Sequence, residues 1–119
     1  MRRSYDYKRL VADIKKSPTR RKYQRAFLAL AKVLQADYIP IMHGGHNEDG
    51  EICLYWDNGT HYCDIEVNPS AQAFSVYIRQ RASEGIQPTK EWFFENITLA
   101  EFGEDWLARF LTPFKKETT

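Results

Sequence analysis

Long apolar runs are missing from this chain. No window approaches the roughly eighteen apolar residues of a membrane-spanning helix, so no membrane partner is expected. The opening Met1-Arg2-Arg3-Ser4-Tyr5-Asp6-Tyr7-Lys8 also lacks the apolar stretch of a secretory leader. Cysteine is scarce, with two residues, and reduced thiols in a cytoplasmic setting are the expectation. Internal repeats and low-complexity segments are absent. Gly44-Gly45 has neither a glycine-rich fingerprint around it nor a Lys-Ser/Thr after it, which excludes a phosphate cradle of the known kinds. No triad or acid–base constellation emerges, so enzymology is the weakest reading, with no catalytic residue, metal or cofactor assigned.

Acid is scarce at one end. Residues 1–35 hold eleven Lys/Arg against Asp6 and Asp13, a net of +9, while the remaining 84 residues carry a net of −8. Such a split hints at an anionic partner for the basic part, unless the basic helices lie against their own acidic sheet.

What is present is organised around residues 50–81. Ile52-Cys53-Leu54-Tyr55-Trp56 and His61-Tyr62-Cys63-Asp64-Ile65-Glu66-Val67 flank Asp57-Asn58-Gly59-Thr60. Asn-Gly between two β-rich runs predicts a two-residue hairpin turn, because a type I′ turn needs positive φ at both central residues. That register sets Trp56 opposite His61, Leu54 opposite Cys63 and Ile52 opposite Ile65 on one face. On the other it sets Tyr55 opposite Tyr62, Cys53 opposite Asp64 and Glu51 opposite Glu66. Cys53 and Cys63 then point to opposite faces and cannot form a disulfide.

Tyr7, Leu10, Val11 and Ile14 recur at helical spacing, predicting a helix from Tyr5 to about Lys16. Ser17-Pro18 reads as the N-cap and first position of a second helix, running to Gln35. Its apolar stripe is Tyr23, Ala26, Phe27, Leu30, Val33 and Leu34, with Arg21, Arg25 and Lys32 opposite. Tyr38–Met42 is a β-rich run, and residues 43–50 read as a loop. Residues 73–81 form a third hairpin strand, 82–90 a polar connection, and 91–95 a short last strand. Thr98-Leu99-Ala100-Glu101 is a capping box that predicts a C-terminal helix with Gly103 inside it, stopped at Thr112-Pro113. The fold class is therefore α+β: one domain, a two-layer sandwich. An antiparallel meander of four to five strands carries two N-terminal helices and one C-terminal helix on one face.

The open sheet face is the first candidate binding surface, with Tyr55, Tyr62, Tyr77, Glu51, Asp64, Glu66 and Arg79. Tyrosine in a polar surround suits protein contacts, and opposed carboxylates call for a compensating cation. Solvation of one antiparallel face is the plain alternative. A second candidate is the basic stretch Arg20, Arg21, Lys22, Arg25 and Lys32, which offers phosphate contacts to a nucleic acid. His43, His46 and His61 make a third, a metal-dependent hydrolase, although His-x-x-His lacks helical spacing and paired cysteines.

The run Gly50-Glu51-Ile52-Cys53-Leu54-Tyr55-Trp56, with Tyr62-Cys63-Asp64-Ile65-Glu66-Val67 and Phe74-Ser75-Val76-Tyr77, resembles a pattern in small bacterial proteins of unknown function. Those proteins are often encoded on mobile elements or beside toxin–antitoxin genes. The Gly-Trp-Asp-Gly motif that opens their pattern is absent here. The resemblance implies a bacterial accessory role and transfers no catalytic residue. Combined with the open face, it gives a small accessory module that binds protein, with a homodimer as one form of that contact.

Overall fold

The computed structural model describes residues 2–34, 43–46, 51–57, 59–81, 90–104 and 109–114. Helices α1 (Arg2–Lys16) and α2 (Arg21–Leu34) are followed by five strands: β1 (His43–His46), β2 (Ile52–Asp57), β3 (His61–Val67), β4 (Phe74–Gln80) and β5 (Lys90–Ile97). All neighbours are antiparallel, and the order β1-β2-β3-β4-β5 is a simple meander. Two short 3-10 turns, Glu101–Gly103 and Thr112–Phe114, close the chain.

Strand alternation decides what is buried. Ile52, Leu54 and Trp56 of β2, Cys63 and Ile65 of β3, and Phe74, Val76 and Ile78 of β4 all lie in the core on one face. Val67, in phase with Cys63 and Ile65 on β3, is only partly covered. Leu10 and Ile14 of α1 and Tyr23, Phe27, Leu30, Ala31 and Leu34 of α2 complete the layer. Aromatic edges lock it: Phe74 meets Phe27 at 5.6 Å and Phe102 at 5.7 Å, and Trp56 meets Phe114 at 5.3 Å. The expected stripe of α2 is rotated slightly, with Val33 44% exposed and Leu28 packed against the core. The α+β sandwich with helices on one sheet face is therefore the fold.

The hairpin register differs from the sequence expectation by two residues. Leu54 faces Ile65, Tyr55 faces Asp64, Trp56 faces Cys63 and Asp57 faces Tyr62, so the connection is longer than the Asn-Gly pair alone. A slip of two preserves every face, which is why the core set survives while the pairings change. The cause lies in Asp57. Its Oδ1 accepts a hydrogen bond from the Gly59 amide at 2.9 Å, and its carboxylate receives both arms of Arg81 at 2.7 and 2.9 Å. Gly59 adopts φ +94°, and the Arg81 amide donates to the Thr60 carbonyl at 2.8 Å. Asn58 lies outside the described residues.

Other boundaries move for equally local reasons. Strand β1 replaces the loop expected at His43-Gly44-Gly45-His46, because its backbone pairs with β2, His43 with Tyr55 and His46 with Ile52. Helix α2 starts three residues after the Ser17-Pro18 signal. The linker is used to end α1 instead: the Ser17 amide donates to the Ile14 carbonyl, and Gln24 Nε2 donates to the carbonyls of Ser17 at 2.9 Å and Lys15 at 3.3 Å. Strand β5 runs longer than expected through a bulge opposite Ser75, with Asn96 at φ +59°. Asn68 secures it, donating to the Asn96 side chain at 2.6 Å and accepting from Ser75 Oγ at 3.3 Å.

The capping box forms as expected: the Thr98 amide donates to Glu101 Oε1 at 3.1 Å, and the Glu101 amide to Thr98 Oγ1 at 3.4 Å. What it caps is one 3-10 turn. Glu104 leaves it in extended backbone, so Gly103 ends a turn and is not interior to a helix. Residues 109–111 are helical and lead into the second 3-10 turn. The expectations for residues 38–42, 47–50, 82–89 and 105–108 fall outside the described residues.

Candidate functional site

Register builds the open face row by row. The central row is Tyr55 on β2, Asp64 on β3, Tyr77 on β4 and Phe93 on β5. With strands about 4.8 Å apart, it spans roughly 14 Å. One row toward the β2–β3 turn come Asp57, Tyr62, Arg79 and Glu91; one row the other way come Cys53, Glu66 and Ser75. The rings of Tyr62 and Tyr77 approach to 6.3 Å on a diagonal, and the Arg81 guanidinium sits 5.9 Å from the Tyr62 ring centre.

Phe93 is the member of this row that the sequence did not single out. It is 59% exposed, more than Val33, the other large apolar residue exposed among those described. Trp92, Phe93 and Phe94 stand consecutively, so alternation alone cannot say which ring faces water. The pairing with β4 decides it: Ile78 faces Trp92 and Val76 faces Phe94 on the core side. There Phe110 packs on both rings, at 5.8 and 4.9 Å.

Asp64 is half-buried at the middle of the face. Burial raises its carboxyl to about 6, Glu66 pushes it the same way, and a hydrogen bond from Tyr62 works in the opposite direction. Tyr62 is held well above the usual phenol value by burial and by Asp64. Cys53 is raised to about 11, first by burial and then by Asp64 and Glu66. In all three, burial is the first cause and neighbouring carboxylates add to it at Tyr62, Cys53 and Asp64. Among the described residues of the face, Asp64, Glu66 and Glu91 stand with Arg79, while Asp57 and Arg81 neutralise each other.

Glu51 does not belong to this face, and it does not oppose Glu66; Cys53 takes that position. Glu51 precedes β2 and turns to the α1–α2 linker, where Arg20 Nε lies 3.4 Å from Oε1 and Thr19 Oγ1 donates to Oε2. The compensating cation is thus supplied inside the molecule. Cys53 and Cys63 are free thiols on opposite faces, half-buried and buried respectively.

The basic residues divide. Arg20 pairs with Glu51, while Lys22 donates to the Pro69 carbonyl at 2.8 Å and lies 5.1 Å from the Tyr23 ring centre. Arg21, Arg25 and Lys32 are exposed along the outer side of α2, away from the sheet. The positive stripe and the acidic face therefore stand on opposite sides of the sandwich. Of the three histidines, His61 lies on the helix side, with its ring 6.1 Å from Phe114 and Nδ1 3.1 Å from Thr60 Oγ1. His43 and His46 hold positions of opposite parity on β1, and their side chains are outside the description. Among the described residues no three His, Cys, Asp or Glu gather as metal ligands, and no helix is long and apolar enough to cross a membrane.

No protein-family model, curated protein or solved structure matches the chain.

Proposed function

We propose that this chain is a protein-binding module working through its open sheet face, with Tyr55, Tyr62, Asp64, Glu66, Tyr77, Arg79 and Phe93 as contact residues. The observation that carries the proposal is Phe93, an aromatic residue 59% exposed beside Tyr77 in the middle of a strand pair. An exposed ring among tyrosines supports a contact, because aromatic anchors dominate the energetics of protein contacts. The bacterial accessory role implied by the resemblance is compatible with this activity, and a cytoplasmic setting suits its free thiols.

A second copy of the chain is the poorer occupant. Two copies meeting through this face would bring Asp64, Glu66 and Glu91 against carboxylates of the same set. A head-to-tail contact with the α2 stripe would be complementary but must close into a ring or grow into a filament.

One observation favours a second reading. Arg21, Arg25 and Lys32 form an exposed line on α2 that no part of the acidic sheet covers. That line offers a nucleic acid phosphate contacts, and such binding would weaken steeply with salt. Two variants separate the readings. Tyr77→Ala with Phe93→Ser should abolish capture of a partner that the unaltered chain retains, while Arg21→Ala/Arg25→Ala/Lys32→Ala should leave it intact. The reverse pattern, with retention on nucleic acid lost in the second variant, would replace the first reading by the second.

A further inference from the structure

On the premise that the open face binds protein, we infer that its partner is a basic segment, and that an arginine or lysine of that segment seats on the Asp64 carboxylate among the rings of Tyr55, Tyr62 and Tyr77. Three observations converge on a cation at this point. Register sets Asp64 between Tyr55 on β2 and Tyr77 on β4, with Tyr62 two residues before it on its own strand. Among the described residues, and beside the Asp57–Arg81 pair, Asp64, Glu66 and Glu91 share the face with Arg79, which is exposed and stands opposite Tyr62, one row away. The same kind of contact already exists at the rim, where Arg81 lies against the Tyr62 ring while forking onto Asp57.

A cation arriving at Asp64 meets a carboxylate with tyrosines on three sides, and carboxylates and aromatic rings both attract it. Anionic partners are excluded by the same charges. The groups facing Asp64 are Tyr55 and Cys53 from β2, Tyr77 and Arg79 from β4, and Tyr62 and Glu66 on β3. Burial, with Glu66 adding to it, lifts the Asp64 carboxyl to about 6, so near that pH the seat is part-protonated and only its ionised fraction receives a cation. Apparent affinity scales with that fraction, giving about a tenfold gain from pH 5 to pH 7.

The test uses the full chain and three hexapeptide probes at constant ionic strength: hexa-arginine, hexa-glutamate and an uncharged alternating Phe-Ser peptide. Amide chemical shifts locate each probe, and titrations at pH 5 and pH 7 give its Kd. Hexa-arginine should shift the amides of Tyr55, Tyr62, Asp64, Tyr77 and Phe93 and bind about tenfold tighter at pH 7. Asp64→Asn should weaken it and remove the pH dependence, while leaving the spectrum of the helical layer unchanged. Hexa-glutamate should shift nothing on the face. Binding of hexa-arginine that ignores pH and Asp64→Asn would overturn the inference, as would its failure to reach this row. If the Phe-Ser peptide occupies the row and hexa-arginine does not, the cation seat falls while the protein-binding face stands. That face fails on separate grounds, when Tyr77→Ala/Phe93→Ser keeps its partner.

Discussion

Arg81 grips Asp57 with both arms of its guanidinium, at 2.7 and 2.9 Å, and so fastens the end of β4 to the β2–β3 connection. The pair holds Asp57 below the ordinary carboxylate range, through the Arg81 hydrogen bonds first and the Gly59 amide second. A lowered carboxyl stabilises the fold above its unfolded value of 3.8, and that stabilisation is lost as pH falls through the folded value. Arg81→Ala should return the Asp57 titration, followed by carboxyl NMR, toward its ordinary position. It should also speed exchange of the Gly59 amide. An unmoved Asp57 titration would mean that Arg81 does not hold it.

Asp64 works in the opposite sense. Its folded value of about 6 lies above the unfolded 3.8, so ionising it costs stability as pH rises from about 4 to about 6. Asp64→Asn should therefore stabilise the protein at pH 7.5. After discounting for the half-exposed position, the gain is on the order of 1 kcal/mol. At pH 4 the two proteins should unfold at the same denaturant concentration. A destabilised variant at pH 7.5 would show that Asp64 is held by a contact stronger than the burial it suffers.

The thiols should react slowly at neutral pH. Burial raises Cys53 to about 11 and lifts the fully buried Cys63 well above the ordinary thiol value, so neither offers much thiolate at pH 7. Labelling of Cys53 should accelerate steadily up to about pH 11, and Cys63 should label only on unfolding. Asp64→Asn should speed Cys53 at pH 8. Rapid labelling of both thiols at pH 7 would contradict their placement.

Thr19 ties the interhelical linker to the sheet, donating to Glu51 and accepting from the Ile52 amide at 3.4 Å. Thr19→Val keeps the shape and removes both bonds. It should cost about 1 kcal/mol in chemical denaturation, with faster exchange at the Ile52 amide. An unchanged midpoint would remove this tie from the account.

These residues also mark how far the sequence could be read. Faces were legible because strand side chains repeat every two residues, and a register error of two returns each one to its own face. Pairings were not, because the β2–β3 connection is set by Arg81, twenty-four residues from Asp57, and no local turn signal contains it. Strand β1 escaped for a related reason: His-Gly-Gly-His carries no strand propensity, and its order comes from the backbone of β2. The tyrosines and Asp64 of the open face followed from alternation. Phe93 did not, since three adjacent aromatics leave the phase of β5 undefined until Val76 and Ile78 are paired. Glu51 was misplaced because parity was extended one residue past the start of a strand.

The most direct measurement of the central claim is a photo-crosslink from each side of the sandwich in living cells. A photoreactive aromatic residue placed at position 93 samples the sheet face; the same residue at position 25 samples the outer side of α2. Position 93 should give a discrete protein adduct that disappears when Tyr77→Ala is added, and position 25 should give none. Adducts from position 25 alone, to protein or to nucleic acid, would contradict the assignment of function to the open face.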